Sequence, residues 1–143
     1  MLVKEIMTTD VKTVRPEDSV KSLAEKLVTN KIGAMVVVSG SGVVVGIATE
    51  RDIIEDVVVS CCDIENTKVE EIMTKELVTV EPENTLEDAA DIMVKNKIKK
   101  LPVISSGRLL GIVTATDLIA YENKLLDKVA HLLMSSPMKN IGG

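Results

Sequence analysis

A chain of 143 residues that is 45% apolar, carries a net charge of −5 and holds no Phe, no Trp and one Tyr has enough aliphatic material for one compact domain or two very small ones. The acidic balance and the missing aromatics argue against nucleic acid as a partner, since neither a basic field nor a stacking platform is available. Val43–Val45 and Val57–Val59 are far too short to span a bilayer, and an N-terminus with the early acid Glu5 and no long hydrophobic stretch does not read as a signal peptide, so a soluble, cytoplasmic protein with no membrane contact is expected.

Read in order, the chain says the same thing twice. Val3-Lys4-Glu5-Ile6-Met7-Thr8 recurs as Val69-Glu70-Glu71-Ile72-Met73-Thr74. Thr13-Val14-Arg15-Pro16-Glu17 recurs as Thr79-Val80-Glu81-Pro82-Glu83, and Asn30-Lys31-Ile32 as Asn96-Lys97-Ile98. After a one-residue gap near Gly40, Gly46-Ile47-Ala48-Thr49-Glu50-Arg51-Asp52 matches Gly111-Ile112-Val113-Thr114-Ala115-Thr116-Asp117. A repeat of this extent sets the architecture.

Each copy begins with a short strand, 12–14 and 78–80, stopped by a proline that cannot join a ladder. An amphipathic helix follows. Val20, Leu23, Ala24, Leu27 and Val28 in the first copy, and Leu86, Ala89, Ala90, Met93 and Val94 in the second, fall at helical spacing. Ser19 and Thr85 sit at N-cap positions, and Asn30 and Asn96 near the helix ends, where a left-handed residue is tolerated. Two hairpin strands come next, 35–38 with 43–49 and 101–104 with 109–114, joined by Ser/Gly turns. A second helix starts at Thr49 or Thr114. Units this small are marginal alone, so the copies are expected to share a core about a pseudo-two-fold axis. The expected division is repeat 1 over 2–60, a linker over 61–67, repeat 2 over 68–122, and an appended helix and tail over 123–143.

In that tail Leu125, Val129, Leu132 and Leu133 form one apolar stripe, which either packs on its own chain or meets a second copy. Ser135-Ser136-Pro137 should end it, and residues 141–143 should fray. Cys61 and Cys62 are adjacent in the linker and read as buried or inert thiols. One histidine, His131, cannot complete a metal site with them.

Paired β-α-β-β-α units with Ile-Met-Thr at the start, Asn-Lys-Ile before the second strand and Gly-Ile-x-Thr-x-x-Asp entering the last helix resemble the cystathionine-β-synthase (CBS) domain pair, over about residues 2–122. The resemblance implies an α+β module with two related clefts. Many members of that family bind AMP, ADP, ATP or S-adenosylmethionine as regulatory ligands, and many dimerise into a flat disc. A stand-alone regulatory homodimer with no cofactor of its own is therefore expected, acting on an unidentified regulated protein. A ligand-free dimerisation or docking scaffold is the alternative. A relative of inosine-monophosphate dehydrogenase is a third reading, but the length leaves no room for a catalytic barrel.

Thr49-x-x-Asp52 and Thr114-x-x-Asp117 carry the chemistry. The pattern is also a helix capping box. By the resemblance, these are ribose-binding positions, where a carboxylate can accept both hydrogens of a cis-diol. Carried over by position, one cleft comprises Asp52, Thr49, Ile47, Leu77, Val78, Thr79, Lys99, Lys100 and Thr116. The other comprises Asp117, Thr114, Ile112, Val11, Lys12, Thr13, Gly33, Ala34 and Arg51. The aliphatics would hold the base, although each also reads as ordinary core. Lys99 and Lys100 are expected to meet phosphate in the Asp52 cleft, with Arg51 alone serving the other, so the clefts should be inequivalent. No nucleophile–base set and no glycine-rich phosphate loop is visible, so no catalytic residue and no enzyme activity is expected.

Overall fold

The structure is a computed structural model, and it describes residues 1–135; Ser136, Pro137 and the expected frayed end at 141–143 lie outside the described residues. Six helices and five strands follow in order: α1 Val3–Ile6, β1 Thr13–Val14, α2 Val20–Asn30, β2 Ala34–Val38, β3 Val44–Thr49, α3 Glu50–Ile53, α4 Val69–Ile72, α5 Leu86–Asn96, β4 Lys100–Ser105, β5 Arg108–Thr114 and α6 Ala115–Ser135. A π-helical turn, Ile54–Val58, continues α3. The architecture is α+β.

In the first sheet β1 runs parallel to β2, and β2 pairs antiparallel with β3, with a bulge at Val37/Val38. The second sheet pairs β4 with β5 and carries the same kind of bulge at Val103/Ile104. The strand expected over 78–80 contracts to one parallel bridge, Val80 to Val103.

Two cores form, and each takes its closing piece from the other end of the chain. Val3 is fully buried among Val80, Ala89, Leu101, Val103 and Val113 of the second half. Val69 and Ile72 of α4 are buried among Val14, Leu23, Met35 and Val37 of the first. The turns after the short strands anchor this exchange: Pro82 O accepts from Lys4 N–H at 3.1 Å, and Pro16 O from Glu70 N–H at 3.0 Å.

The exchange also explains two glycines. A Cβ on Gly111 would lie 2.6 Å from Thr8 O and 2.9 Å from Met7 Sδ; on Gly46 it would lie 2.9 Å from Thr74 O and 2.8 Å from Met73 Sδ. The Ile-Met-Thr segment of each half crosses directly over the Gly-Ile step of the other, so only glycine fits. At the far end the hairpin turns meet, Val44 N–H donating to Gly107 O at 3.0 Å and Arg108 Nη1 to Ser41 O at 3.1 Å.

Several sequence expectations need correction. Val28 and Val94 are 77% and 78% exposed. Eight residues on from Val20 or Leu86, the helix has turned each about 80° off the core-facing line. The left-handed residues are Lys31 and Lys97, both at φ 55. Asn30 and Asn96 are the last helical residues instead, each donating Nδ2 to the carbonyl four residues back at 2.8 Å. Cys61 and Cys62 are exposed, not buried. The helix expected to be appended after residue 122 is no separate element, since α6 runs unbroken from Ala115 to Ser135.

Candidate functional site

The crossing of the Ile-Met-Thr segment over β5 leaves a cavity of about 200 Å³ between the halves. Thr8, Asp10, Val11 and Lys12 run along one side, and Ala34, Met35 and Ile47 come from the first sheet. Lys100, Pro102, Ile112 and Thr114 come from the second. The walls are aliphatic and the polar groups stand at the edges. Lys12 Nζ lies 3.9 Å from Asp10, whereas Lys100 has no ion pair among the described residues.

Thr114 ends β5 and opens α6. Its N–H donates to Asp117 Oδ2 at 2.9 Å, and Asp117 N–H donates to Thr114 Oγ1 at 3.1 Å. Thr49 and Asp52 repeat these bonds at 2.9 and 3.1 Å. Both pairs are therefore capping boxes, which satisfy otherwise orphaned helix N–H groups. They are half-buried, and the bonds engage Oδ2 of each carboxylate. Thr85 and Asp88 form a third box with the same geometry, fully exposed at the start of α5. The Thr-x-x-Asp pattern alone thus marks a helix start. Its position after a strand that borders the inter-repeat cavity sets Thr114–Asp117 apart from Thr85–Asp88.

Of the residues assigned to the Asp117 cleft, the cavity brings together Val11, Lys12, Ala34, Ile112 and Thr114. Thr13 faces a separate hollow with Thr9, Val38 and Leu109. Gly33 lines a groove between α2 and α3, and its carbonyl accepts from Glu50 N–H at 2.9 Å. Arg51 Nε bonds Glu55 Oε1 at 2.6 Å with its side chain 83% exposed. That hydrogen bond and the neighbouring charge raise the guanidinium pKa.

Of the residues assigned to the Asp52 cleft, Ile47 and Lys100 line this same cavity. Lys100 arrives there because the β4–β5 register sets it opposite Thr114. Lys99 O accepts from Ala115 N–H at 2.8 Å, so the lysine pair flanks the start of α6. Val78 packs against the second core. Leu77 and Thr79 are half-buried beside it, and Thr116 is exposed on the first turn of α6. Thr8, Asp10, Ile32, Met35, Val36 and Pro102 also line the cavity and were missed by sequence reasoning. Thr8 and Ile32 carried a signal, since they close the repeated Ile-Met-Thr and Asn-Lys-Ile motifs; the other four have none.

The three groups with shifted pKa all lie outside the cavity. Besides Arg51, the Asp63 carboxyl is lowered by hydrogen bonds from Asn66 and from Glu65 N–H, and Asp88 by those from Thr85 and Asn84. No helix among the described residues is long and apolar enough to cross a membrane.

Comparison with known proteins bears on this geometry directly. The CBS domain family model matches residues 3–59 and again 69–124. The chain is 38% identical over 116 residues to the CBS domain-containing protein YhcV of Bacillus subtilis (strain 168), covering 81% of each. With the inosine-5'-monophosphate dehydrogenase of Korarchaeum cryptofilum it shares 42% identity over 115 residues, which is 80% of this chain and 23% of that longer one. Among solved structures, CBSX2 in complex with AMP superposes with a TM-score of 0.77 at 26% identity, covering 87% of this chain and 98% of that one. The CBS domain pair of protein MJ0100, in complex with 5-methylthioadenosine and S-adenosyl-L-methionine, superposes with a TM-score of 0.73 at 28% identity, covering 85% and 99%.

Proposed function

This chain belongs to the CBS domain family, and from that premise we propose that it is a non-catalytic regulatory module binding an adenosine-containing ligand between its repeats, sensing energy or metabolite state. AMP, ADP, ATP and S-adenosylmethionine are the candidate ligands. The observation that carries this reading is the convergence, in one aliphatic cavity, of Val11, Ile47 and Ile112 with Lys12, Lys100 and Thr114.

The base lies between aliphatic side chains, where a planar ring system gains burial without an aromatic partner. Asp117 is not itself on the cavity lining, but it is bonded to Thr114, which is, and from there it accepts from the ribose diol. At about 200 Å³ the cavity is smaller than a site that encloses a whole drug-sized ligand. The phosphates therefore remain at the rim, near Lys12 and Lys100. A second cleft around Asp52 follows from the repeat, because Ile47 and Thr74 pair as Ile112 and Thr8 do. With Lys100 opposite Thr114 and not opposite Thr49, we place the stronger phosphate attraction on the Asp117 side. The module works in the cytoplasm as a homodimer and passes the ligand's effect to a regulated protein. The ligand does so only through unequal affinity for two arrangements of the halves.

Thermal unfolding with saturating AMP, ADP, ATP or S-adenosylmethionine tests the reading. A bound ligand raises the melting temperature by mass action, and Asp117→Ala reduces that rise. No shift with any of the four would leave the ligand-free scaffold as the function.

A further inference from the structure

We propose that the turn at 39–42, flanked by Arg15 and Arg108, binds a free inorganic oxyanion of the phosphate type, and that the bound anion ties the two halves together. This inference is independent of the ligand between the repeats.

At the end where the hairpin turns meet, the repeat is not faithful. Arg15 stands where the second half has Glu81, and Arg108 stands where the first half has Val43. Both arginines reach the same turn. Arg15 Nη1 lies 3.3 Å from where a Cβ on Gly40 would stand, and Arg108 Nη1 lies directly against the same position on Gly42. Arg108 Nη1 also donates to Ser41 O at 3.1 Å, from the second half to the first. At the matched place in the second half the neighbour is apolar, since a Cβ on Gly107 would face Val43 Cγ1 at 3.7 Å. Two of the chain's three arginines thus converge on one Ser/Gly turn, in a chain whose net charge is −5.

The cluster has donors to spare. Of the five N–H groups of a guanidinium, Arg108 uses one, and it has no ion pair among the described residues. Arg15 has Glu17 Oε1 at 3.9 Å, with both side chains more than half exposed. Glu17 is the one carboxylate within ion-pair distance of either arginine among the described residues, so their charge is only partly offset. Asp18 accepts from the Arg15 backbone N–H at 3.0 Å, but its own ion pair is with Lys26 at 3.8 Å. The Ser39 and Ser41 hydroxyls share one hydrogen bond at 2.9 Å, which leaves one hydroxyl proton free. The Gly40 and Ser41 N–H groups make no hydrogen bond among the described residues. The Cα atoms of Gly40 and Gly42 can be no more than about 7 Å apart. One tetrahedral oxyanion bridges such a span with charge-assisted hydrogen bonds of about 2.8 Å, and the planar arginine fork matches its geometry. Gly42 also borders a hollow of about 240 Å³ with Thr9, Thr13 and Leu109, which gives the anion room. An anion held by Arg15 of one half and Arg108 of the other adds a tie where the turns already meet, and it stabilises by mass action.

Amide NMR of the full chain, titrated with inorganic phosphate at constant ionic strength, tests this beside thermal unfolding under the same conditions. The Gly40 and Ser41 amide resonances should shift saturably, and the melting temperature should rise with phosphate. Arg15→Gln and Arg108→Gln should each raise the dissociation constant for phosphate at least about five-fold, as expected for partly exposed charge contacts. Both side chains are exposed, so folding is preserved, and circular dichroism checks it. Lys100→Ala, at the rim of the cavity between the repeats, should leave phosphate binding at this turn unchanged. The absence of a saturable shift, or an equal shift with chloride, would overturn the proposal. So would loss of binding in Lys100→Ala but in neither arginine variant, or a shift of these amides by ADP and not by inorganic phosphate.

Discussion

Thr8 and Ile112 hydrogen-bond to each other through their backbones in both directions, with each N–H to O distance 2.9 Å. Ile47 and Thr74 do the same at 3.0 and 2.8 Å. These two pairs tie the opening segment of each half across the last strand of the other, and they set one wall of the candidate cavity. Neither pair leaves room for a side chain beneath it. Gly111→Ala should therefore destabilise the fold by about 1–3 kcal/mol, the usual cost of overpacking, because the new Cβ meets the fixed Thr8 carbonyl. Gly40→Ala is the control. Its nearest neighbour is the tip of Arg15 at 3.3 Å, and it should change stability by less than about 0.5 kcal/mol. Urea denaturation compares the two.

Capping and ligand binding separate in a pair of matched variants. An Asn oxygen can still accept from the Thr N–H, so Asp117→Asn and Asp88→Asn keep an acceptor in the box while removing charge. The nucleotide-induced rise in melting temperature should fall in Asp117→Asn and persist in Asp88→Asn. Equal loss in both would reduce Asp117 to a capping residue.

Lys100 stands at the cavity rim without an ion pair among the described residues, while Lys12 has Asp10 beside it. Lys100→Ala should weaken ADP binding by about five-fold, near 1 kcal/mol, as expected for a partly exposed charge contact. Adenosine, lacking phosphate, should be unaffected. Calorimetry with both ligands at one ionic strength reads the difference.

Acid should unfold the protein partly through Asp63 and Asp88. Hydrogen bonds hold both carboxyls below the ordinary aspartate range in the folded state. Their contribution is present above the unfolded pKa and is lost as pH falls through the folded one. The urea midpoint should thus decline below about pH 4, and Asp88→Asn should flatten part of that slope. A steeper acid slope in that variant would contradict the assignment.

The sequence by itself determined the repeat, the helix starts and the hairpins, because these depend on local chemistry. Ser19 and Thr85 cap where side-chain oxygens meet free N–H groups. The glycine steps at Gly46 and Gly111 could be matched between halves without knowing what lay above them. The pairing of Thr49 with Asp52 and of Thr114 with Asp117 was equally legible, as was the resemblance that gave them a second meaning.

Only the tertiary structure decided which core each half closes. Val3 and Val69 have identical local patterns, and nothing near either says that it crosses to the other half. That exchange results from long-range burial, to which hydrophobic periodicity is blind. It also decided that Lys100, read from sequence as serving Asp52, stands opposite Thr114, since strand register is set by pairing partners and by the bulge at Val103/Ile104. The same holds for the stripe on α6. The sequence shows that Leu125, Val129 and Leu132 share a face, but whether that face is covered depends on where the neighbouring helices end, and here they end before it.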